Sequence, residues 1–401
     1  MLVRHPFLFS GLSYKMVFTM HVKNKIRWTT AAFFFFSGII SSTWSSRIPD
    51  IQRQLDLSNG ELGGVLFAIS AGLVLALPIS SWLIARYSSE KMMTVSTIIF
   101  AVLISLLAVA SSVYLLVLLL FLFGAFRNLV SMSANTNSIE VQALFQKPII
   151  ATFHGIWSMA CFVGIAIGAL MISKGVLPLW HFLSIGLLII IAVLIFKRKD
   201  RRAITDLEKR AFFVKPDRYL FLLGCVAFCA MFCESSMFDW SINYFDKVIK
   251  ADKNYITFGY SGFIIMLTAG RLFGDRFIER FGPVNVLLFN GLLMTTGIII
   301  VISFPFVLSA SIGFSLIGLG SSIVVPIVYS LAGKSSKMSA GYAIASVTMI
   351  GYIGFLSSPL IIGALSDKLG MQTAFGILIL IALGVSMLAV RLKKFNTDGA
   401  N

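Results

Sequence analysis

Long apolar runs separated by short polar connections dominate the chain. A run of about 20 mostly apolar residues is long enough to cross a bilayer as a helix. The pattern predicts twelve such helices, over residues 28–46, 62–84, 93–111, 113–137, 150–172, 176–196, 218–243, 254–274, 284–303, 305–332, 339–364 and 371–391. The predicted fold class is therefore an all-α polytopic membrane protein.

The composition agrees with a chain that lies almost wholly in lipid. Of its 401 residues, 58% are hydrophobic and 12% are charged, whereas soluble proteins average about 45–50% apolar and about 25% charged residues. The net charge of +16 must then lie in loops and tails, beside anionic lipid headgroups. No basic stripe lies on a soluble face, so nucleic-acid binding is not expected.

The basic residues predict the orientation of the helices. With the amino terminus inside, the inner segments carry 25 of the 33 Lys and Arg residues, the outer segments carry seven, and Arg127 lies within a span. This asymmetry follows the positive-inside rule. We therefore expect both termini in the cytoplasm and no cleaved signal peptide.

The longest polar connection, residues 197–217, leaves six predicted spans on either side. Short echoes link the two sides: Arg86 and Arg280 are 194 residues apart, and Gly168-Ala169-Leu170 recurs as Gly363-Ala364-Leu365 after 195 residues. The Ser41-Ser42 and Trp44-Ser45 pairs likewise recur as Ser235-Ser236 and Trp240-Ser241. The predicted domains are a tail (1–27), a six-helix bundle (28–196), a basic linker (197–217), a second bundle (218–391) and a second tail (392–401).

Three loop segments share a pattern of small, acidic and basic residues. Segment 275–282 contains Glu279-Arg280, segment 363–370 contains Asp367, and segment 81–91 keeps Arg86 but has Ala85 in place of the acid. The pattern resembles the signature G-x-L-x-D-R-x-G-R-K of the major facilitator superfamily. Three further segments resemble a bacterial inner-membrane branch of that superfamily whose substrates are mostly unassigned: 44–49, 153–158 and 234–240.

The resemblance implies two pseudo-symmetric six-helix bundles, a location in the bacterial inner membrane, and rocker-switch transport of a solute bound between the bundles. A small-molecule solute, a proton gradient and the lipid bilayer are the partners it implies, and we expect a monomer. Five residues are assigned to gating or to loop structure: Arg47, Arg86, Glu279, Arg280 and Asp367.

Ionisable side chains at bilayer depth cost about 2.5–3.5 kcal/mol each, so those that occur are candidates for function. Glu234 and Asp239 on span seven, with His154 on span five, are the proton-coupling candidates. The alternatives are that Asp239 lies at headgroup level or pairs with Arg47, and that His154 is a structural residue. Arg127 has three possible roles, which are binding an anion, pairing with Glu234, or extending towards the interface.

Aromatic and amide side chains in the spans are the candidates for solute binding. They are Trp44, Asn135, Asn137, Trp157, Trp240, Asn243 and Tyr352. The alternative for Trp44 is an interfacial aromatic belt, and the alternative for the amides of span four is hydrogen bonding between helices. Their amide and aromatic character favours a sugar, a nucleoside or a related metabolite.

No nucleotide-binding or hydrolase motif occurs, so we expect a transporter that uses a gradient, neither an enzyme nor a cofactor-dependent protein. The four cysteines all lie in apolar runs, where neither disulfides nor a metal site are expected.

The predicted function is proton-coupled transport of a small polar solute. Uptake by symport is favoured because the superfamily's antiporter pattern is missing between Gly164 and Gly168. The alternative is proton-driven export of drugs or metabolites on the same fold.

Overall fold

The computed structural model describes residues 20–145, 149–196, 216–335 and 340–398. Residues 1–19, most of the predicted linker 197–217, and residues 399–401 lie outside this description. The described residues form sixteen helices and no strand. The helices are α1 (Met20–Ser46), α2 (Ile48–Gln54), α3 (Asn59–Leu75), α4 (Leu77–Tyr87), α5 (Ser89–Leu107), α6 (Val113–Gln142), α7 (Ile150–Ser173), α8 (Pro178–Phe196), α9 (Arg218–Lys247), α10 (Phe258–Phe281), α11 (Pro283–Ser303), α12 (Val307–Ser321), α13 (Val324–Gly333), α14 (Ala340–Leu369), α15 (Met371–Ala374) and α16 (Ile377–Asp398).

Each predicted span coincides with one helix or with two consecutive helices. Among the described residues, nine segments are long and apolar enough to cross a bilayer, and the pair α3 and α4 adds a tenth. Helices α1 and α10 occupy the first and eighth predicted spans. The predicted all-α membrane fold is confirmed. We call α1–α8 the first half and α9–α16 the second half, and the end that carries residues 47–58 the outer end, following the predicted orientation.

Polar side chains set where several helices begin. Ser58 accepts a hydrogen bond from Glu61 N at 3.1 Å, and the Glu61 carboxylate accepts one from Ser58 N at 2.9 Å, which completes a capping box for α3. Asp217 caps α9 by accepting from Leu220 N at 2.8 Å. These side chains satisfy N–H groups that have no partner within the first turn.

Proline residues explain two interruptions in the spans. Helices α3 and α4 meet at an angle of 44° at Leu77-Pro78. Helices α12 and α13 are separated just before Pro326, which has no N–H and whose ring excludes the preceding turn from regular helical geometry.

Small residues allow the main helix pairs to approach closely. In the first half α1 packs along α7, where a Cβ on Gly38 would lie 2.6 Å from the carbonyl oxygen of Trp157. In the second half α9 packs along α14. The two halves meet chiefly through α3 with α14 and α7 with α10. Close approach through small residues is how helices pack when lipid offers no hydrophobic driving force between them.

The backbone repeats the offset seen in the sequence. Ser88 (φ 89°) and Gly282 (φ 78°) stand 194 residues apart, and each begins the helix after a span. Gly175 (φ 68°) and Gly370 (φ 81°) stand 195 residues apart at outer turns. Positive φ values are uncommon outside glycine, so their recurrence at these offsets supports the proposal that the halves are related bundles.

Candidate functional site

A small cavity lies between the two halves, near the middle of α6, α7 and α14. Its volume is about 20 Å³, room for about one water molecule, so its walls lie close together in this conformation. The lining combines residues of both halves, namely Ser41, Trp44, Ser45, Ile69, Ser70, Arg127, Trp157, Cys161, Phe238, Asp239, Tyr260 and Phe355. A wider depression of about 420 Å³ opens at the outer surface, but only residues 249–252, 255 and 305–308 of the second half line it.

Two opposite charges, Arg127 from α6 and Asp239 from α9, line the central cavity. Among the described residues, Arg127 makes no hydrogen bond or ion pair. Asp239 accepts a hydrogen bond of 3.2 Å from Ser235 Oγ, whose single proton also lies within reach of the Phe355 carbonyl oxygen at 3.1 Å. Both charges are half-buried, and the protein satisfies neither of them fully.

Trp44 adds a third polar group without a partner. Its side chain is 3% exposed, and its indole Nε1 has no hydrogen-bond partner among the described residues. The ring packs against Phe123, with ring centroids 6.2 Å apart, and Phe123 lies one turn from Arg127 on α6. The first half therefore contributes a guanidinium group and two indole rings to the lining, through Arg127, Trp44 and Trp157.

Glu234 lies outside this lining and pairs with another residue of the second half. Its Oε1 accepts a hydrogen bond from Arg271 of α10 at 3.2 Å. The suggested pairing of Glu234 with Arg127 is therefore wrong. Arg271 also lowers the count of inner basic residues, because it lies midway along α10, within the predicted span 254–274 and not in an inner loop. Arg218 and Arg391 are the inner end residues of predicted spans, so 22 of the 33 basic residues lie in the inner segments themselves.

His154 lies near the inner end of α7 and is exposed. Its ring contacts Phe34 edge-on, with centroids 5.5 Å apart. Like Glu234, it lies outside the residues that line the cavity. Of the three proton-coupling candidates, Asp239 alone is part of the lining.

The amide candidates lie away from the cavity and connect helices. Asn137 accepts a hydrogen bond of 2.7 Å from Thr30 and lies 3.3 Å from the Ser89 hydroxyl, so it links α6 to α1 and α5. Asn243 donates to Gln52 Oε1 at 2.7 Å and links the halves near the outer end. Asn135 is half-buried towards the inner end of α6 and is not part of the lining.

The two remaining solute-binding candidates also lie outside the lining. Trp240 is fully buried and its Nε1 has no partner among the described residues, whereas Tyr352 is half-buried on α14. Of the seven predicted solute-binding residues, the structure brings Trp44 and Trp157 into the cavity.

Asp367 joins the two halves at the outer end. Its carboxylate accepts hydrogen bonds from Asn59 N and Gly60 N, each at 2.7 Å. These are the first N–H groups of α3, where a carboxylate is favoured by the free donors and by the helix dipole. Lys247 Nζ donates to the Asn59 side chain at 2.6 Å, and Arg53 pairs with Asp246 at 2.5 Å. These contacts join the two halves at the outer end, away from the residues that line the cavity.

The other loop residues have local roles. Arg47 is 3% exposed and donates to His181 Nδ1 at 3.1 Å, to Asp50 at 2.7 Å and to the Val176 carbonyl at 2.8 Å. The suggested Arg47–Asp239 pair is therefore wrong, because these acceptors hold Arg47 within the first half. Arg86 lies over the Tyr87 ring at 5.8 Å.

The predicted acid–base pair Glu279-Arg280 lies on the exposed inner end of α10. The Arg280 guanidinium lies 5.3 Å from the centre of the Phe281 ring. These two residues are therefore at the surface of the molecule, far along α10 from the cavity.

Sequence reasoning did not single out Ser70, Tyr260, Phe355 or Arg271. A charge inside an apolar run is a signal that should have identified Arg271. Tyr260 and Phe355 carry no such signal, because the sequence of an apolar helix does not show which of its aromatic side chains point into a cavity.

Comparison with known proteins agrees with this architecture. A family model of the Major Facilitator Superfamily (MFS) matches residues 29–354 and 225–399. An uncharacterized MFS-type transporter of Yersinia pestis is 30% identical over 358 residues, which cover 89% of this chain and 93% of that one.

Solved structures share the fold at low sequence identity. A bacterial homolog of the human lysosomal transporter Spinster, in an inward-facing and occupied conformation, superposes with a TM-score of 0.76 at 14% identity, over 94% of this chain and 98% of that one. A mutant of the nucleoside transporter NupG superposes with a TM-score of 0.76 at 12% identity, over 92% and 99% of the two chains. With its sequence match and its helical architecture, the chain belongs to the Major Facilitator Superfamily.

Proposed function

We propose that this protein is a secondary transporter that moves a small polar solute across the membrane by alternating access, with the proton gradient as its energy source. The observation that carries the proposal is the cavity shared by both halves, whose lining includes Arg127 of the first half and Asp239 of the second. A solute held between the two charges would contact both halves at once. Its binding would then affect how the halves rock against each other.

Asp239 is our candidate for the coupling residue. A carboxyl group in a cavity that opens to one side and then to the other can gain a proton on one side and release it on the other. Glu234 fits this role less well, because it already forms an ion pair with Arg271 and lies outside the lining. His154 is exposed and also lies outside the lining.

The solute class predicted from the sequence, a sugar, a nucleoside or a related metabolite, depends on amide and aromatic side chains. Of these, Trp44 and Trp157 line the cavity, whereas Asn135, Asn137 and Asn243 do not. The likeness to a nucleoside transporter at 12% identity supports the fold and does not extend to the solute. The charges and indole rings of the lining are better guides to what binds.

Export is the second candidate function. Aromatic residues supply much of the lining, through Trp44, Trp157, Phe238, Tyr260 and Phe355, which suits an apolar solute body.

The remaining assignments are proposals from the sequence: two bundles over 28–196 and 218–391, both termini in the cytoplasm, the bacterial inner membrane as location, and a monomer that acts without cofactor or enzymatic activity.

Solute flux into proteoliposomes, with and without an imposed proton gradient, tests the proposal. We expect the gradient to drive accumulation by the native protein and by Glu234→Gln, and Asp239→Asn to lose the response to the gradient. Glu234→Gln is the matched control, because it neutralises a carboxylate of the same helix outside the cavity. Gradient-independent flux in the native protein, or loss of coupling in Glu234→Gln alone, would overturn the assignment to Asp239.

A further inference from the structure

We infer that the cavity between the halves takes a small zwitterion, a solute with one carboxylate and one ammonium group on an apolar or aromatic body. The inference rests on the proposed function, because it names the substrate class of the same cavity. It depends on three polar groups of the lining that lack adequate partners: the Arg127 guanidinium, the Trp44 indole N–H and the Asp239 carboxylate.

The first half offers a site for a carboxylate. Arg127 is a half-buried cation without a hydrogen bond or ion pair among the described residues. Trp44 is 3% exposed, and its Nε1 also has no hydrogen-bond partner among the described residues. Both groups donate hydrogen bonds and neither accepts them. An anion would satisfy both, and a planar carboxylate matches the guanidinium fork.

The second half offers a site for a cation. Asp239 is the one carboxylate in the lining. The hydrogen bond that it accepts is 3.2 Å long and comes from a hydroxyl whose proton is shared with a carbonyl oxygen. An ammonium group supplies three donors and a compensating charge. The indole faces of Trp44 and Trp157 add favourable surfaces for a cation and for an apolar body.

A solute with one charge, or with none, fits less well. An amine alone would leave Arg127 without a direct partner, a carboxylate alone would leave Asp239 without a cationic partner, and a sugar would leave both charged groups without an ion pair. Charges at bilayer depth are costly unless they are paired. The two side chains do not pair with each other in this conformation, so a solute with both charges is the ligand that completes the lining.

Calorimetric titration of the purified full-length protein tests the inference with matched sets of ligands. Each set contains a zwitterion, the amine that lacks its carboxylate and the acid that lacks its amine: alanine with ethylamine and propionate, leucine with isopentylamine and 4-methylpentanoate, and phenylalanine with phenethylamine and 3-phenylpropionate. Glucose and uridine serve as neutral solutes. We expect at least one zwitterion to bind about tenfold or more tightly than both of its partial analogues and than either neutral solute.

Variants show whether the two charges act as inferred. We expect Arg127→Gln to weaken the zwitterion about tenfold and leave the amine unchanged, and Asp239→Asn to weaken the zwitterion and leave the acid unchanged. Arg127→Lys and Asp239→Glu should recover part of the affinity. The controls are Arg218→Gln and Asp252→Asn, which remove exposed charges outside the cavity and should not change binding. A purely structural Arg127–Asp239 interaction would lower the melting temperature of both variants without this split between analogues.

The outcomes separate the inference from the proposed function. Tighter binding of glucose, uridine or a singly charged analogue, or no binding of any zwitterion in the panel, overturns the inference. Counterflow of labelled uridine or glucose would overturn it while leaving the transporter proposal intact. Zwitterion binding without counterflow in proteoliposomes would support the substrate class and contradict transport.

Discussion

At the scale of single residues, Trp44 and Trp240 form a natural comparison. They stand 196 residues apart on α1 and α9, both are buried, and the Nε1 atom of each has no partner among the described residues. An unpaired buried donor costs roughly 1–3 kcal/mol. Trp44 lines the cavity and Trp240 does not, so a solute could offset this cost at Trp44 and not at Trp240.

We therefore expect Trp44→Phe and Trp240→Phe to have different effects on binding. Both variants keep an aromatic ring and lose the indole N–H, so their free energies of unfolding should change by similar amounts, within about 1 kcal/mol. Trp44→Phe should weaken the zwitterion by about tenfold, the effect of one hydrogen bond to a charged group, while Trp240→Phe should leave affinity unchanged. Calorimetric titration of each variant measures its affinity for the zwitterion, and thermal melting curves of the protein in detergent measure its stability. Equal losses of affinity in both variants would show that the effect passes through stability alone.

At the scale of helices, the positions of the spans could be predicted and the directions of their side chains could not. Apolar length fixes where a helix crosses lipid, so the twelve runs agree with the observed helices. Which polar side chains converge depends on how each helix is rotated about its axis, and this is set by packing with distant segments. Arg127 and Asp239 line one cavity because α6 and α9 turn those faces inward. Asn137 and Asn243 are polar residues of the spans as well, but their amide groups bond to neighbouring helices.

The crossing of α3 and α14 at the outer end offers a test of helix packing. A Cβ on Gly63 would overlap the carbonyl oxygen of Pro359, whereas a Cβ on the adjacent Gly64 would meet nothing within 4 Å. We expect Gly63→Ala to push α3 and α14 apart and open the outer side of the cavity, and Gly64→Ala to have no effect. The native Cys161 reports opening, because it lines the cavity and is 1% exposed.

The measurement is the rate at which a small membrane-impermeant thiol reagent, added outside, modifies Cys161 in a background with Cys225, Cys229 and Cys233 replaced by alanine. Gly63→Ala should raise this rate by about tenfold, equivalent to about 1.4 kcal/mol in favour of the open state. Asp367→Asn should shift it in the same direction, because the amide loses the charge that caps α3. Equal rates in the Gly63 and Gly64 variants would mean that this crossing does not control access.

At the scale of the whole molecule, contacts at the outer end hold the two halves together in the conformation that contains the cavity. Arg53 with Asp246, Lys247 with Asn59, and Asp367 with the start of α3 each join the first half to the second at the outer end. All are interactions that water could replace if the outer side opened. A transporter needs such seals to be comparable in strength on its two sides, since otherwise one conformation would dominate and the cycle would stop.

The arrangement of charges also predicts the direction of proton movement. A solute ammonium group and a proton cannot occupy the Asp239 carboxylate together, so binding of one should displace the other and the two should move in opposite directions. Under an inward proton gradient this exchange would drive the solute outward, so the prediction favours the second candidate function, export. Proteoliposomes that contain a pH-sensitive dye test this prediction. When the zwitterion that binds most tightly is added outside, its entry should raise the internal pH.

The matched variants assign the effect to one carboxylate. Glu234→Gln should show the same rise in internal pH, because Glu234 is committed to Arg271 outside the lining, whereas Asp239→Asn should show none. A fall in internal pH on solute entry would mean that proton and solute travel together, as the sequence favours. The proton would then need a carrier other than the Asp239 carboxylate that holds the solute. Retention of Cys161 labelling in Asp239→Asn would show that this variant still opens its cavity, so that a lost proton signal reflects the missing carboxylate and not a misfolded chain.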